Sequence, residues 1–341
     1  MTQKKLENYK VVFFEISLSE KKYIKKKFPD NYELVFHKEK LNDENAHLIS
    51  DADAVSVFIY SSITELVLEK AAKLKLITTR STGFNHINLK AAQKKNIAVG
   101  NVPYYGENTV AEHTFALILS LSRNLHKAYF RTVMGNFSLE GLRGFDLKGK
   151  TIGIIGAGSI GMHVIKMAQG FAMKVVVFDV KKNHILEEMM DFKYVTLDEL
   201  LSTSDIISLH CPYNESTRYI INMQNIQLVN KGALFINTAR SGLIEPSALY
   251  HAIDNGIFGG AGLDVFEGEE LMNEENQMLT QNVPVEHLEA LMKRNILLRR
   301  ENVIITPHIA FDSAESIERI LETTAQNVLS CFAGETYYKV V

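Results

Sequence analysis

The run Gly156-Ala157-Gly158-Ser159-Ile160-Gly161 has the G-x-G-x-x-G spacing with which a strand-to-helix turn holds a dinucleotide. Such a run is weak evidence alone, because glycine-rich turns arise by chance. Here it follows an apolar segment, Thr151–Ile155, and opens a helical pattern containing Ile160, Val164, Ile165 and Ala168. A second apolar segment then ends in Asp179, 23 residues after Gly156. Each part has a physical task. Gly156 permits the tight turn, Gly158 lets main chain approach a pyrophosphate, and Gly161 lets the helix lie close on its strand. The helix N-terminus offers free N–H groups and the positive end of its dipole to phosphate. Asp179 can accept a hydrogen bond from a ribose 2′-hydroxyl and would repel a 2′-phosphate, which favours NAD over NADP. Lys181 and Lys182 weigh the other way, since they could pair with that phosphate.

Three further residues could turn a bound dinucleotide to chemistry. Oxidation of a hydroxy acid needs a cation for the carboxylate, an acid/base for the hydroxyl proton, and a group that tunes that acid/base. Arg240 lies just past the apolar stretch Ala233–Thr238, and a guanidinium can grip a carboxylate through two parallel hydrogen bonds. His308 follows Asn302–Thr306 through Pro307, and imidazole exchanges protons near neutral pH. Glu269 follows Gly260–Phe266 and could orient the ring. Taken singly, these read as a surface ion pair, a loop residue and one of a solvated run of acids. Their joint arrival after successive strand patterns is what points to a site.

The elements that must position them alternate. Strand patterns at Val11–Ile16, Tyr32–Phe36, Ala54–Ile59, Leu74–Thr79 and Ile97–Val102 are separated by helix patterns at Glu20–Phe28, Glu65–Lys73 and Leu89–Lys95. A long apolar helix is expected over Thr109–Tyr129. A second set follows, with strands at Thr151–Gly156, Lys174–Asp179, Asp205–His210, Ala233–Thr238, Gly260–Phe266 and Asn302–Thr306. Its helices lie at Ser159–Phe171, Asp198–Ser202 and Pro246–Asn255, and an amphipathic helix closes the chain at Ser313–Phe332. Alternation of this kind predicts parallel sheets covered on both faces. Leu271–Arg300 is polar and partly helical.

Bulk composition narrows the partners. The chain has 341 residues, enough for two domains, and 46% of them are apolar, enough for sizeable cores. With 37 basic and 40 acidic residues the net charge is −3, which argues against a nucleic-acid or anionic-membrane partner. The basic run Lys21–Lys27, broken by Tyr23 and Ile24, reads as a wet helix face. Two cysteines, Cys211 and Cys331, suit a reducing cytoplasm, with a disulfide between them as the alternative. The N-terminal segment carries no apolar signal region and no apolar run is long enough to span a bilayer, so a cytoplasmic protein is expected. No metal site is read from the sequence.

In chain order, Val110-Ala111-Glu112-His113, the glycine turn, Asn237–Gly242, Gly262-Leu263-Asp264-Val265-Phe266 and Thr306-Pro307-His308 resemble the D-isomer-specific 2-hydroxyacid dehydrogenases. The resemblance covers roughly Leu74 to Phe332. It implies an α/β fold of two Rossmann-like, doubly wound parallel-sheet domains, one flavodoxin-like and one NAD-binding. A discontinuous substrate domain would comprise residues 1–103 and 310–341, and an inserted NAD domain residues 104–309. It implies Arg240 as carboxylate anchor, His308 as acid/base and Glu269 as its partner. Cofactor contacts are implied at Gly156, Gly158, Ser159, Ile160, Gly161, Asp179, Cys211, Pro212, Thr217, Thr238, Ala239, Arg240 and Asp264, the last meeting the nicotinamide carboxamide. Main-chain N–H groups near Thr82 and Gly83 would hold the substrate carboxylate. The long helix would serve the hinge and a homodimer interface.

Within the family, Arg80-Ser81-Thr82-Gly83-Phe84-Asn85 and His308-Ile309-Ala310-Phe311 look most like the D-lactate and D-2-hydroxyisocaproate branch, with Tyr105 and Phe311 at aromatic pocket positions. Phosphoglycerate dehydrogenases more often carry glycines at Ala310 and Phe311, and formate dehydrogenases use glutamine at Glu269. The expected reaction is reversible reduction of a 2-keto acid by NADH, pyruvate to D-lactate first and a branched or aromatic 2-keto acid second. The alternatives are a glyoxylate/hydroxypyruvate or phosphite enzyme of the same fold, or a non-catalytic NAD-sensing scaffold akin to corepressors. One departure is the polar stretch 270–307, 38 residues and longer than in many members. It leaves Glu267 and Glu270 as rivals of Glu269, and could cover a cleft or form an oligomer contact.

Overall fold

The computed structural model describes residues 8–266 and 295–341. They form two compact units: Met1–Tyr105 with Ser313–Val341, and Gly106–Asp312. The changes of unit fall two and three residues beyond the 103 and 309 read from the sequence.

The first unit is a five-stranded sheet of β1 (Tyr9–Phe13), β2 (Tyr32–Phe36), β3 (Ala54–Val57), β4 (Leu76–Thr79) and β5 (Ala98–Gly100). The order is β2-β1-β3-β4-β5, with every pair parallel, which is the flavodoxin-like winding. β3 and β4 are buried along their whole length, as continuous apolar strands covered on both faces must be. α1 (Leu18–Lys25) starts at Ser17, whose hydroxyl and Glu20 form a reciprocal cap. α2 (Glu65–Lys70) and α3 (Leu89–Lys94) are capped by Thr64 and Asn88. One face packs Val12, Val55 and Ile77 against Val67, Leu68 and Ala92. The other packs Val11, Phe13 and Leu76 under Leu321, Ala325 and Val328 of the C-terminal helix Ala314–Ala333. That helix returns the chain to the unit it left. Arg80, 1% exposed, donates to Ser56 and to the carbonyls of Phe14 and Glu15, and so ties the ends of β1, β3 and β4.

The second unit begins with α4 (Glu107–Ser122) and α5 (Leu125–Val133). The single helix expected over Thr109–Tyr129 is in fact these two. Asn124 adopts φ 50°, a left-handed conformation that Asn tolerates and a helix cannot continue through. Then come β6 (Thr151–Ile155), α6 (Ser159–Gly170), β7 (Lys174–Phe178), α7 (His184–Met189), β8 (Lys193–Tyr194), α8 (Leu197–Thr203), β9 (Ile206–Leu209), β10 (Ala233–Asn237), α9 (Pro246–Asp254), β11 (Phe258–Leu263) and β12 (Val303–Ile305). Their order is β12-β11-β10-β9-β6-β7-β8, all parallel. This is the doubly wound dinucleotide-binding order with one strand added, and the winding reverses between β6 and β9. Apolar clusters cover both faces. α4 lies close on β11 because Gly262 has no side chain: a Cβ there would stand 3.0 Å from Leu117 Cβ. Both cysteines are free, which removes the disulfide alternative. Among the described residues no helix is long and apolar enough to cross a membrane.

Candidate active site

The glycine turn leaves β6 beside the end of β9, where the winding reverses. In open α/β sheets ligands bind at the carboxyl ends of the strands at such a point. The three glycines behave differently there. Gly156 has φ 99°, and a Cβ on it would stand 2.6 Å from the Cys211 amide nitrogen. A Cβ on Gly161 would collide with the Gly156 carbonyl oxygen, so Gly161 is needed for helix-on-strand packing. A Cβ on Gly158 would meet nothing within 4 Å. Its bareness serves no protein contact and fits the close approach of a ligand. Gly158 is also the N-cap of α6 and provides no side-chain cap, leaving the first-turn N–H groups available to phosphate. The donor set therefore fits a pyrophosphate, as NAD requires. Ser159 is exposed and Ile160 half-buried at this opening.

Asp179 lies just past β7 and accepts the Ala157 amide at 2.8 Å and the Lys181 amide at 2.7 Å. It thus holds the turn's shape. Cys211, Pro212 and Thr217 form the loop after β9, closed where Thr217 Oγ1 donates to the Pro212 carbonyl at 2.6 Å. Burial pushes the Cys211 thiol up to about 11 and the preceding His210 imidazole down to about 3, so both are neutral near pH 7.

Arg240, Asp264 and His308 leave three neighbouring parallel strands. Register pairs Asn237 with Leu263 and Leu263 with Ile305, so the loops of β10, β11 and β12 emerge at one sheet edge. With strands about 4.8 Å apart, the outer two are about 10 Å apart. Asn237, fully buried, donates to the Arg240 carbonyl at 2.9 Å and accepts from the Ala239 amide, folding a loop that presents Arg240 as an exposed side chain. Thr238 is 7% exposed and Ala239 half-buried. His308 adopts φ 54°, held there as its amide donates to the Asp264 and Thr306 carbonyls at 3.0 and 2.9 Å. Glu269 and its rivals Glu267 and Glu270 lie outside the described residues, as does most of the 270–307 stretch.

Asp264, the expected nicotinamide contact, follows β11. Its carboxylate is 0% exposed. Oδ1 accepts from Thr306 Oγ1 at 2.5 Å and the Ile309 amide at 2.9 Å, and Oδ2 from the Ala310 amide at 2.8 Å. The carboxylate clasps the loop that carries His308 and Phe311.

In the first unit, Thr82 and Gly83 follow β4. The Thr82 hydroxyl donates to the Val102 carbonyl at 3.0 Å, while among the described residues neither main-chain N–H has an acceptor. Two peptide donors side by side suit a carboxylate. Thr79 Oγ1, 2.7 Å from Ser81 Oγ and 3.1 Å from His86 Nε2, supports this loop, and burial pushes His86 down to about 4. No sequence signal had marked His86. The Tyr105 carbonyl accepts from Arg319 Nε at 2.6 Å.

A family model described as D-isomer specific 2-hydroxyacid dehydrogenase, NAD binding domain, matches residues 115–310, more than half of the chain. The chain belongs to this family. This dehydrogenase is an NAD-dependent oxidoreductase, and its second unit holds the NAD-binding domain. It is 34% identical over 332 residues to D-lactate dehydrogenase of Escherichia coli, covering 96% of this chain and 98% of that one. It is 35% identical over 289 residues to an aromatic 2-oxoacid reductase of Clostridium sporogenes, covering 83% and 84%. A solved D-lactate dehydrogenase of Aquifex aeolicus, complexed with NAD and lactic acid, matches with a TM-score of 0.85 at 37% identity over 95% of this chain and 96% of that one.

Proposed function

We propose that this dehydrogenase reversibly reduces a 2-keto acid to the D-2-hydroxy acid, with pyruvate and D-lactate as the preferred pair. The observation that carries the reading is the exit of Arg240 and His308 from parallel strands at one edge of an NAD-binding sheet. Bound NADH supplies the hydride for the keto carbon. Arg240 binds the substrate carboxylate through both arms of its guanidinium and stabilises charge near the reacting carbonyl. Protonated His308 gives its proton to the carbonyl oxygen as the alkoxide forms, and takes it back in the reverse direction. Glu269 orients the His308 ring, and the Thr82 and Gly83 amides add donors to the carboxylate. Tyr105 of the first unit and Phe311 of the second are further candidate contacts for the substrate's side chain.

On the cofactor, Gly156, Gly158, Ser159, Ile160 and Gly161 receive the pyrophosphate and Asp179 the adenosine ribose. Cys211, Pro212, Thr217, Thr238 and Ala239 border the remainder. Asp264 meets the nicotinamide carboxamide and also holds the His308 loop through the Ile309 and Ala310 amides.

The names of relatives support pyruvate, and the Clostridium reductase supports an aromatic 2-keto acid as the second candidate. Steady-state rates over pyruvate, 2-ketoisocaproate, phenylpyruvate, glyoxylate and hydroxypyruvate, each with NADH and NADPH, test this. Pyruvate should give the highest kcat/KM, with NADH. Arg240→Lys should raise KM, and His308→Asn should lower kcat by about 10²–10⁴. The absence of turnover on every keto acid would overturn the proposal.

We also propose a cytoplasmic homodimer. The two free thiols suit a reducing compartment. On and after α5, Tyr129, Phe130, Val133, Met134, Phe137 and Leu139 are all at least 65% exposed, a cluster broader than the single apolar residues that soluble surfaces tolerate.

A further inference from the structure

His113 and Thr114 are consecutive on α4, and each bonds a different loop of the second unit. Thr114, 0% exposed, donates its hydroxyl to the Val110 carbonyl at 2.9 Å and stands 2.9 Å from Thr238 Oγ1, two residues before Arg240. His113 Nε2 stands 3.1 Å from Thr306 Oγ1 and 3.5 Å from Asp264 Oδ1, two residues before His308 and inside the clasp that holds its loop. Neighbouring helix residues point about 100° apart, so one turn can address two loops. The helix itself is a fixed reference, because Leu117 and Leu121 pack against the bare positions Gly262 and Gly260 of β11, the strand between β10 and β12.

We propose that His113 and Thr114 set the spacing of the Arg240 and His308 loops and are positioning residues for the carbonyl reduction. The inference rests on the functional reading above. Arg240 and His308 act on one small molecule, at its carboxylate and its carbonyl, so an error in either loop separates anchor from acid. The left-handed His308 backbone makes the second loop sensitive. Such a conformation persists only while its surroundings over-determine it, and the Asp264 clasp, completed by Thr306 and His113, is what does so. Thr306 Oγ1 gives its proton to Asp264 and so can accept one from His113 Nε2. Removing the imidazole breaks that chain.

The test compares the unaltered enzyme with His113→Leu, His113→Gln, Thr114→Val, Thr114→Ser and the Leu/Val double variant. Gln carries an N–H where His113 Nε2 stands, and Ser keeps the hydroxyl. For pyruvate reduction His113→Leu should lower kcat about 10- to 100-fold and Thr114→Val about 10-fold, the scale of an ångström's misplacement. NADH binding, read by cofactor fluorescence, should change less than about threefold in each, which also shows that the variants fold. His113→Gln and Thr114→Ser should recover most of the loss. The double variant should lose less than the product of the two, because a site already misaligned by one change has less to lose from the other. Amide exchange at Ile309 and Ala310 should quicken in His113→Leu whether or not a keto acid turns over. Equal rates for Leu and Gln at position 113, losses confined to NADH binding, or unchanged exchange at 309–310 would each overturn the positioning role. Absence of turnover in the unaltered protein would instead overturn the functional reading, and the exchange result would still decide whether His113 holds the loop.

Discussion

Asp179 Oδ2 accepts the Ala157 amide at 2.8 Å, so the acid that follows β7 shapes the glycine turn that follows β6. Its neighbour oxygen takes the Lys181 amide at 2.7 Å. The residue proposed to bind the ribose therefore also shapes the glycine turn, and substitution should expose two separable effects.

Asp179→Asn keeps an oxygen acceptor for the Ala157 amide and loses only charge, whereas Asp179→Ala loses both. Loss of a charge-assisted hydrogen bond costs about 1.5–3 kcal/mol, or roughly ten- to hundredfold in affinity. NADH KM should rise by that range in the Ala variant and less in the Asn variant. NADPH should gain in both relative to NADH, because Lys181 and Lys182 then meet a 2′-phosphate without the opposing carboxylate. Parallel KM measurements with the two cofactors check this; equal losses in Asn and Ala would mean the turn does not depend on the Asp179 oxygen.

The glycines should divide in the same way. Gly158 has φ −71° and open space around its missing Cβ, so Gly158→Ala should melt within a degree or two of the unaltered protein yet bind NADH poorly. Gly161→Ala drives a methyl into the Gly156 carbonyl. Overpacking of that kind costs about 1–3 kcal/mol, a fall in Tm of roughly 2–10 °C for a domain of this size. Thermal melts and NADH titrations of both variants separate ligand space from packing space. A Gly158→Ala variant that melts early would assign its bareness to the protein instead.

Much of this was legible in the sequence because parallel sheets write plainly: apolar strands followed by glycine, asparagine or proline mark the edge where Gly156, Arg240 and His308 emerge. What could not be read follows from interactions between residues distant in the chain. Asn124 looks like one more polar helix position until its left-handed backbone divides α4 from α5. Asp264 is marked as a cofactor contact only by the family resemblance, and its hold on the His308 loop leaves no sequence signal. Only the fold brings Thr306, Ile309 and Ala310 onto its oxygens. His86 carries no motif, and its part in the Thr82–Gly83 loop depends on Thr79 Oγ1 lying 3.1 Å from its ring.

His86 and His210 should make the protein labile to mild acid. Burial is the cause in both cases, lowering the pKa from 6.5 to about 4 and about 3. A depressed folded-state pKa means that the unfolded chain binds the proton first, so stability is full above pH 6.5 and is lost as pH falls toward the folded values. Between pH 7 and pH 5 each imidazole should remove about 2 kcal/mol. Urea midpoints at the two pH values measure it. Replacing His210 with Asn should flatten the dependence by about half, even if it lowers stability at pH 7. An unchanged slope would place the acid sensitivity elsewhere.

The α5 surface makes a prediction about assembly. Tyr129 is 71% exposed, Phe130 67% and Phe137 77%, while α5 has no buried residue. Arg131 and Lys127 pair with Glu301, which leaves the apolar side chains rather than the charges without cover. Aromatic anchors of this kind dominate interface energies, each worth about 2 kcal/mol or more when truncated. Phe130→Asp with Phe137→Asp should therefore convert a dimer to a monomer in sedimentation at micromolar concentration. The NAD turn and the Arg240 and His308 loops belong to other elements, so NADH binding should survive the change. If the unaltered chain sediments as a monomer, the homodimer proposal falls and the patch needs another partner.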